Sequence, residues 1–437
     1  MNTIDLYTRW SSVSLDDIEA ELQAGDTLPA AEQLFGTDEV ARMIETQGKR
    51  SVTGPRKAVV LLPGLMGSLL TSIRGTTTPL WLNPAIILKG QSRYLELNAD
   101  GTGDAAPNIL SVPTNLERMC YLKIALTLRS EALLFEFPYD WRLPIEVNGD
   151  LLGQFLDRWA EGDANMQFTL VGHSMGGLVS RAYVARHPEE AKRRVERVIM
   201  HGTPHFGAAG AVADMWQGNS MIEIAKALNG NNDMRRMVFN MPSAYQLLPA
   251  PPDLFPKGRP YPANFDVYKA SEWREANVRQ DYLDRSREFH ELLADHDHPV
   301  EMIEIAGCHL ETKTDVALHF DSQDRAEITL VTQEEGPDSG DSTVPLYSAV
   351  LPGATMYYIQ EKHRYLSRND DVIKATLDLI YGRKPKLPTE LPKPEGGFFG
   401  FRDVMAGPEV EAQRLRQKIE SGTATEEDLE KLYFLGA

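Results

Sequence analysis

Short apolar runs recur through the middle of the chain, at 58–62, 133–137, 167–171, 198–200, 300–306 and 356–359, separated by stretches with helical periodicity. Strand-like runs alternating with helical patterns predict a mostly parallel sheet covered by helices on both faces, an α/β architecture. Residues 1–55 are polar and helix-prone, with an N-cap-like Ser14 ahead of 15–22 and a second periodic stretch at 38–44. They read as an accessory helical segment, with the central body at 56–383. Residues 384–437 open with a proline-rich linker at 385–397. The linker leads to Phe398, Phe399 and Phe401 and to two helical stretches at 409–420 and 425–435, the second begun by a Thr425/Asp428 capping pattern. The three phenylalanines suit either docking of a protein partner by this tail or packing back on the body.

The run at 166–171 leads directly into Gly172-His173-Ser174-Met175-Gly176-Gly177 and then a helix-like stretch. A serine at the tip of so tight a strand-to-helix turn takes strained backbone angles, so the positions two residues away on either side must lack side chains. Glycine stands at both. Ser174 is therefore the candidate nucleophile, and the predicted fold is an α/β-hydrolase. Serine needs a histidine to take its proton and a carboxylate to orient that histidine, in the chain order Ser, acid, His. Asp341, in a Gly/Pro/Asp loop after the β-rich run 328–332, is the favoured acid, with Asp338 as its neighbouring rival. His363, on a loop after the last strand-like run, is the favoured base.

Ten histidines compete for that role. His173 points the wrong way in such an elbow, and His187 ends a helix before Pro188. His290, His296 and His298 lie in or beside an acidic, solvated-looking stretch. His309 and His319 precede Asp341 and break the chain order, while His201 and His205 are placed to shape the pocket. The glycine-rich loop Pro63-Gly64-Leu65-Met66-Gly67-Ser68 follows an early strand, where this class sets its second oxyanion donor. The amides of Leu65 and Met175 are the expected oxyanion hole, each worth about 3 kcal/mol in the barrier. Residues 206–289, rich at first in Ala, Met and Trp, form the expected cap and acyl pocket, with Met215 and Trp216 as substrate contacts. Trp81, a short way past the oxyanion loop, is a third. Asp140 and Arg142 are expected to pair as scaffolding.

Several segments together carry a resemblance: Leu62-Pro63-Gly64-Leu65-Met66-Gly67-Ser68, Leu80-Trp81-Leu82-Asn83, Phe137-Pro138-Tyr139-Asp140-Trp141-Arg142, the Ser174 elbow, Gly202-Thr203-Pro204, Met241 to Pro249, Gly340 to Pro345, and His363. In that order they resemble the lecithin:cholesterol acyltransferase family, which includes lysosomal phospholipase A2 and phospholipid:diacylglycerol acyltransferases. The family's nucleophile, acid and base fall on Ser174, Asp341 and His363. The resemblance implies a serine acyl hydrolase or acyltransferase acting on lipid esters, most simply a phospholipase A-type hydrolase. A non-lipid carboxylesterase, or a regulated interaction protein carrying a hydrolase domain, are the alternatives. No cofactor or metal is implied.

Composition narrows the setting. A net charge of −18 argues against nucleic acid and against electrostatic docking on anionic membranes, leaving apolar peripheral contact with a bilayer. Secreted members of the family carry a signal peptide and a disulfide-held flap. Here residues 1–10 are polar, and only Cys120 and Cys308 are present, far apart in sequence. Both features fit a cytoplasmic enzyme.

Overall fold

The computed structural model describes residues 1–47, 55–75, 77–273, 277–295, 297–323, 325–334, 336–394 and 407–432. Six strands form one sheet in the order Thr355–Ile359, Glu301–Gly307, Val195–His201, Phe168–His173, Ala58–Leu62, Leu133–Glu136, every neighbouring pair parallel. Each coincides, within a few residues, with an apolar run of the sequence. Every residue of Ala58–Leu62 and Phe168–His173 is buried. Side chains alternate between the faces of a strand, so the sheet is covered on both sides, which is why these runs are continuously apolar. Helices Ile145–Trp159 and Met175–Arg186 pack together, and Phe135, Phe137, Phe155, Trp159 and Phe168 form one aromatic cluster beside them. This is the α/β-hydrolase fold.

Helices Thr3–Ser12, Leu15–Ala24, Leu28–Phe35 and Thr37–Gln47 send Leu6, Trp10, Ile18, Leu34 and Met43 into the same core as the sheet. Ser14 caps the second of them, as expected, and Asp17 completes a reciprocal capping box. At the other end, Leu415 of helix Pro408–Ser421 and Leu429 of helix Glu426–Glu430 join that core too. Phe398, Phe399 and Phe401 lie outside the described residues.

Two smaller β units were not foreseen. Strands Thr78–Trp81, Ser68–Ser72 and Ser111–Leu116 make an antiparallel sheet next to the glycine-rich loop, and Thr312–Phe320 pairs with Ala326–Gln333 as a hairpin. The β-rich run before Asp341 therefore belongs to this hairpin and not to the main sheet. Its alternating half-buried pattern reflects one covered face and one in solvent.

Candidate active site

Ser174 sits between strand Phe168–His173 and helix Met175–Arg186 with φ 53° and ψ −122°, a conformation that costs a non-glycine residue on the order of 1–3 kcal/mol. Its own amide is pinned to the His201 carbonyl at 2.9 Å. The surrounding packing enforces the turn: a Cβ on Gly176 would stand 2.6 Å from the carbonyl oxygens of Leu62 and Pro63. The Ser174 side chain makes no cap hydrogen bond to the helix that follows, and among the described residues the Met175 amide stays uncommitted beside the serine.

Asp341 and His363 meet through two contacts. His363 Nδ1 lies 2.7 Å from Asp341 Oδ2, and the His363 amide donates to the Asp341 carbonyl at 2.7 Å. The amides of Val344 and Thr343 donate to Oδ1, at 2.7 and 3.1 Å. A carboxylate can only accept, so Nδ1 carries a proton and Nε2 is left as the basic nitrogen. Glycines just past one strand and at the end of another permit this approach. A Cβ on Gly202 would come within 2.9 Å of Asp341 Oδ2, and one on Gly307 would collide with Asp341 Cβ. The side chain of Asp338 lies outside the described residues.

Ser174 and His363 line one cavity, a space of about 1100 Å³ that includes open solvent at its mouth. No hydrogen bond joins Ser174 Oγ to the His363 ring, and pairs of this kind often tighten only on substrate. The loop from Pro63 to Ser68 forms the facing wall. Its carbonyls are held by Tyr139 Oη to Pro63 (2.6 Å), Trp81 Nε1 to Met66 (2.9 Å) and Trp141 Nε1 to Ser68 (3.0 Å). Neither the Leu65 nor the Met175 amide donates to another group among the described residues. Trp81 thus differs from its expected role. Its buried indole braces the Pro63–Ser68 loop through the Met66 carbonyl and borders a separate cavity with Leu82 and Asn83.

Met215 lines the serine's cavity with Met66, Ala208, Val238 and Leu247, while Trp216 does not. That indole turns into the cap, stacked on Trp273 and edge-on to Phe265. Successive residues of helix Ala209–Gln217 point some 100° apart, so Met215 and Trp216 cannot share a face. Two charged residues in the wall escaped sequence reading, Asp214 and Lys313, with 3.7 Å between Lys313 Nζ and Asp214 Oδ1. Burial raises the Asp214 carboxyl and Lys313 draws it back. Asp140 and Arg142 form a buried fork, also tied to Asp104.

The remaining histidines are mostly structural. His201 is fixed between Ser367 and Thr376 and, by burial, titrates at about 3. His205 joins Arg181 to Glu304, whose carboxyl burial pushes well up. Neither lines the cavity, contrary to expectation, because the His201 ring is engaged by Ser367 and Thr376 and the His205 ring by Arg181 and Glu304. His290 is buried against the Leu248 carbonyl, not solvated, since it falls on the inner face of helix Gln280–Leu292. His296 lies outside the described residues. His309 is turned to the Pro392 carbonyl.

Comparison with known proteins finds partial likenesses. Residues 118–325 match the family model of lecithin:cholesterol acyltransferase, a span that holds Ser174 but stops short of Asp341 and His363. A phospholipase A(1), LCAT3, of Arabidopsis thaliana is 28% identical over 132 residues, which is 29% of this chain and 29% of that protein. Among solved structures, a chain of the Tle4–Tli4 complex aligns with TM-score 0.50 and 15% identity over 76% of this chain and 99% of that one. The mature lipase BlEst2 of Bacillus licheniformis aligns with TM-score 0.37 and 15% identity, over 76% and 95%. The likeness to the Tle4–Tli4 chain bears on the fold alone.

Proposed function

We propose that this chain, which over residues 118–325 matches the lecithin:cholesterol acyltransferase family model, is a serine acyl hydrolase of ester lipids, with phospholipase A-type activity. One observation carries the proposal: a strained serine opens onto the same apolar cavity as a histidine whose other nitrogen is held by a buried aspartate. Ser174 Oγ attacks the ester carbonyl while His363 Nε2 takes its proton. The Leu65 and Met175 amides hold the oxyanion, and Asp341 stabilises the imidazolium. Collapse expels the alcohol, protonated by His363, and leaves an acyl-enzyme. Water then attacks the acyl carbon, with His363 again as base; a lipid alcohol in its place would make the same chemistry an acyl transfer.

The cavity supports a lipid acyl group by its walls, in which Met66 and Met215 adapt to chains of different length. Lys313 on the same wall supports a phosphodiester headgroup as the polar end of the substrate. The buried, unpaired thiols of Cys120 and Cys308 support residence in a reducing compartment. Ser174→Ala should abolish turnover of phosphatidylcholine micelles and of p-nitrophenyl esters alike, with the unfolding temperature unchanged. A fluorophosphonate should label the parent at Ser174. Turnover surviving in Ser174→Ala would end the proposal.

A further inference from the structure

Between the oxyanion loop and the histidine loop runs a buried chain of hydrogen bonds that the triad chemistry does not use. The Gly64 amide donates to Tyr121 Oη at 2.7 Å. Tyr121 Oη lies 2.8 Å from His173 Nδ1, and His173 Nε2 lies 3.0 Å from the carbonyl oxygen of His363. The proton positions follow from chemistry. The His363 carbonyl can only accept, so the proton of a neutral His173 imidazole is on Nε2. Nδ1 is then an acceptor, and Tyr121 Oη, which accepts from the Gly64 amide, donates its own proton to it. Burial and the nearby His363 hold His173 well below the usual imidazole range, and burial holds the Tyr121 phenol well above its own, so both stay neutral at working pH.

The chain has a mechanical meaning. Gly64 adjoins Leu65, and a Cβ on Gly64 would stand 3.0 Å from Ser174 Cβ and 3.1 Å from His173 Nδ1, so loop, serine and imidazole are in close contact. At the other end the His363 backbone is held twice: its amide by the Asp341 carbonyl, its carbonyl by His173. The ring centroids of His173 and His363 are 4.9 Å apart. Tyr121 belongs to helix Arg118–Glu131 and His173 ends the strand that delivers the serine. Four segments distant in sequence are therefore set in register by two neutral side chains.

Resting on the reading of Ser174 and His363 given above, we propose that Tyr121 and His173 are positioning residues that lock the oxyanion amide of Leu65 and the base His363 into one geometry about the serine. Both border the serine's cavity, but their polar atoms are committed to this chain and act on the reaction through the Leu65 loop and His363. Misplacing a reacting group by about 1 Å can cost on the order of 100-fold in rate. Tyr121→Phe removes one hydroxyl at constant shape and cuts the oxyanion side; His173→Asn is too short to reach the His363 carbonyl and cuts the base side.

The test uses the purified full chain and a p-nitrophenyl ester, with kcat, KM, the pH profile and the unfolding temperature of both variants and their double. Each single change should lower kcat about 10- to 100-fold with KM within about twofold. The double should be no slower than the worse single variant by more than about threefold, because groups acting as a unit lose their effect once. The acid limb of kcat/KM should stay in place in His173→Asn, since the replaced ring is uncharged there. The proposal is overturned if Tyr121→Phe keeps the parental kcat, whether or not its unfolding temperature falls, if the losses multiply in the double, or if the acid limb moves. Ser174→Ala, assayed alongside, separates the two readings. An inert Ser174→Ala with fully active Tyr121→Phe and His173→Asn sinks only the positioning network, whereas an active Ser174→Ala sinks the nucleophile.

Discussion

At φ 53° the backbone of Ser174 holds a conformation it would abandon if its surroundings loosened, and the contacts around Gly176 are what hold it. Because a Cβ at 176 would strike two main-chain carbonyls and not a movable side chain, Gly176→Ala should destabilise by more than about 3 kcal/mol or fail to fold, as denaturant melts would show. Asp341→Asn tests a different dependence. It keeps the shape but loses the acceptor that sets the His363 tautomer, so kcat should fall about 10³- to 10⁴-fold at unchanged stability. Lys313→Met asks about the substrate. On the proposed headgroup contact, KM for phosphatidylcholine should rise about tenfold more than KM for a p-nitrophenyl ester. An equal change in both would remove the lysine from recognition.

At the scale of elements, the 206–289 segment and the last helices bear on each other. Helix Ser220–Leu228 packs on helix Pro408–Ser421, where Arg416 donates to the Leu228 carbonyl. The following helix, Glu426–Glu430, meets the turn His363–Arg368: Glu430 pairs with Arg364 at 2.8 Å and Glu426 with Arg368. Leu415 is 2% exposed, so Leu415→Ala should cost about 2–5 kcal/mol in chemical denaturation. An unchanged midpoint would mean that this helix contributes little to the fold.

The molecule as a whole carries a pH dependence set by burial. His201 titrates at about 3 and His290 at about 4 when folded, against an unfolded value near 6.5, each lowered chiefly by burial. A histidine depressed in the native state contributes stability that is complete above pH 6.5 and is lost as pH falls toward the folded value. For His201 the loss by pH 4.5 is about 2–3 kcal/mol. Glu426, raised to about 7 by burial, works in the opposite sense, its contribution fading as pH rises through 7. The clean measurement is therefore a comparison of variants: His201→Gln should flatten the fall in stability between pH 7 and 4.5, and an identical slope would refute the assignment.

Local pattern by itself determined the six sheet strands, the serine elbow, the Ser14 and Thr425 caps and the candidate acid and base, because periodicity and turn chemistry act over a few residues. Tertiary structure alone decided the strand order, the turning of Trp81 and Trp216 away from the cavity, the burial of His290, and the entry of Asp214 and Lys313 into the wall. It also decided the juncture of Tyr121 with His173, for Tyr121 lies in an apolar helix that reads as plain core. Such contacts join residues tens to hundreds of positions apart. Their geometry comes from how whole elements pack, which no short stretch of sequence encodes.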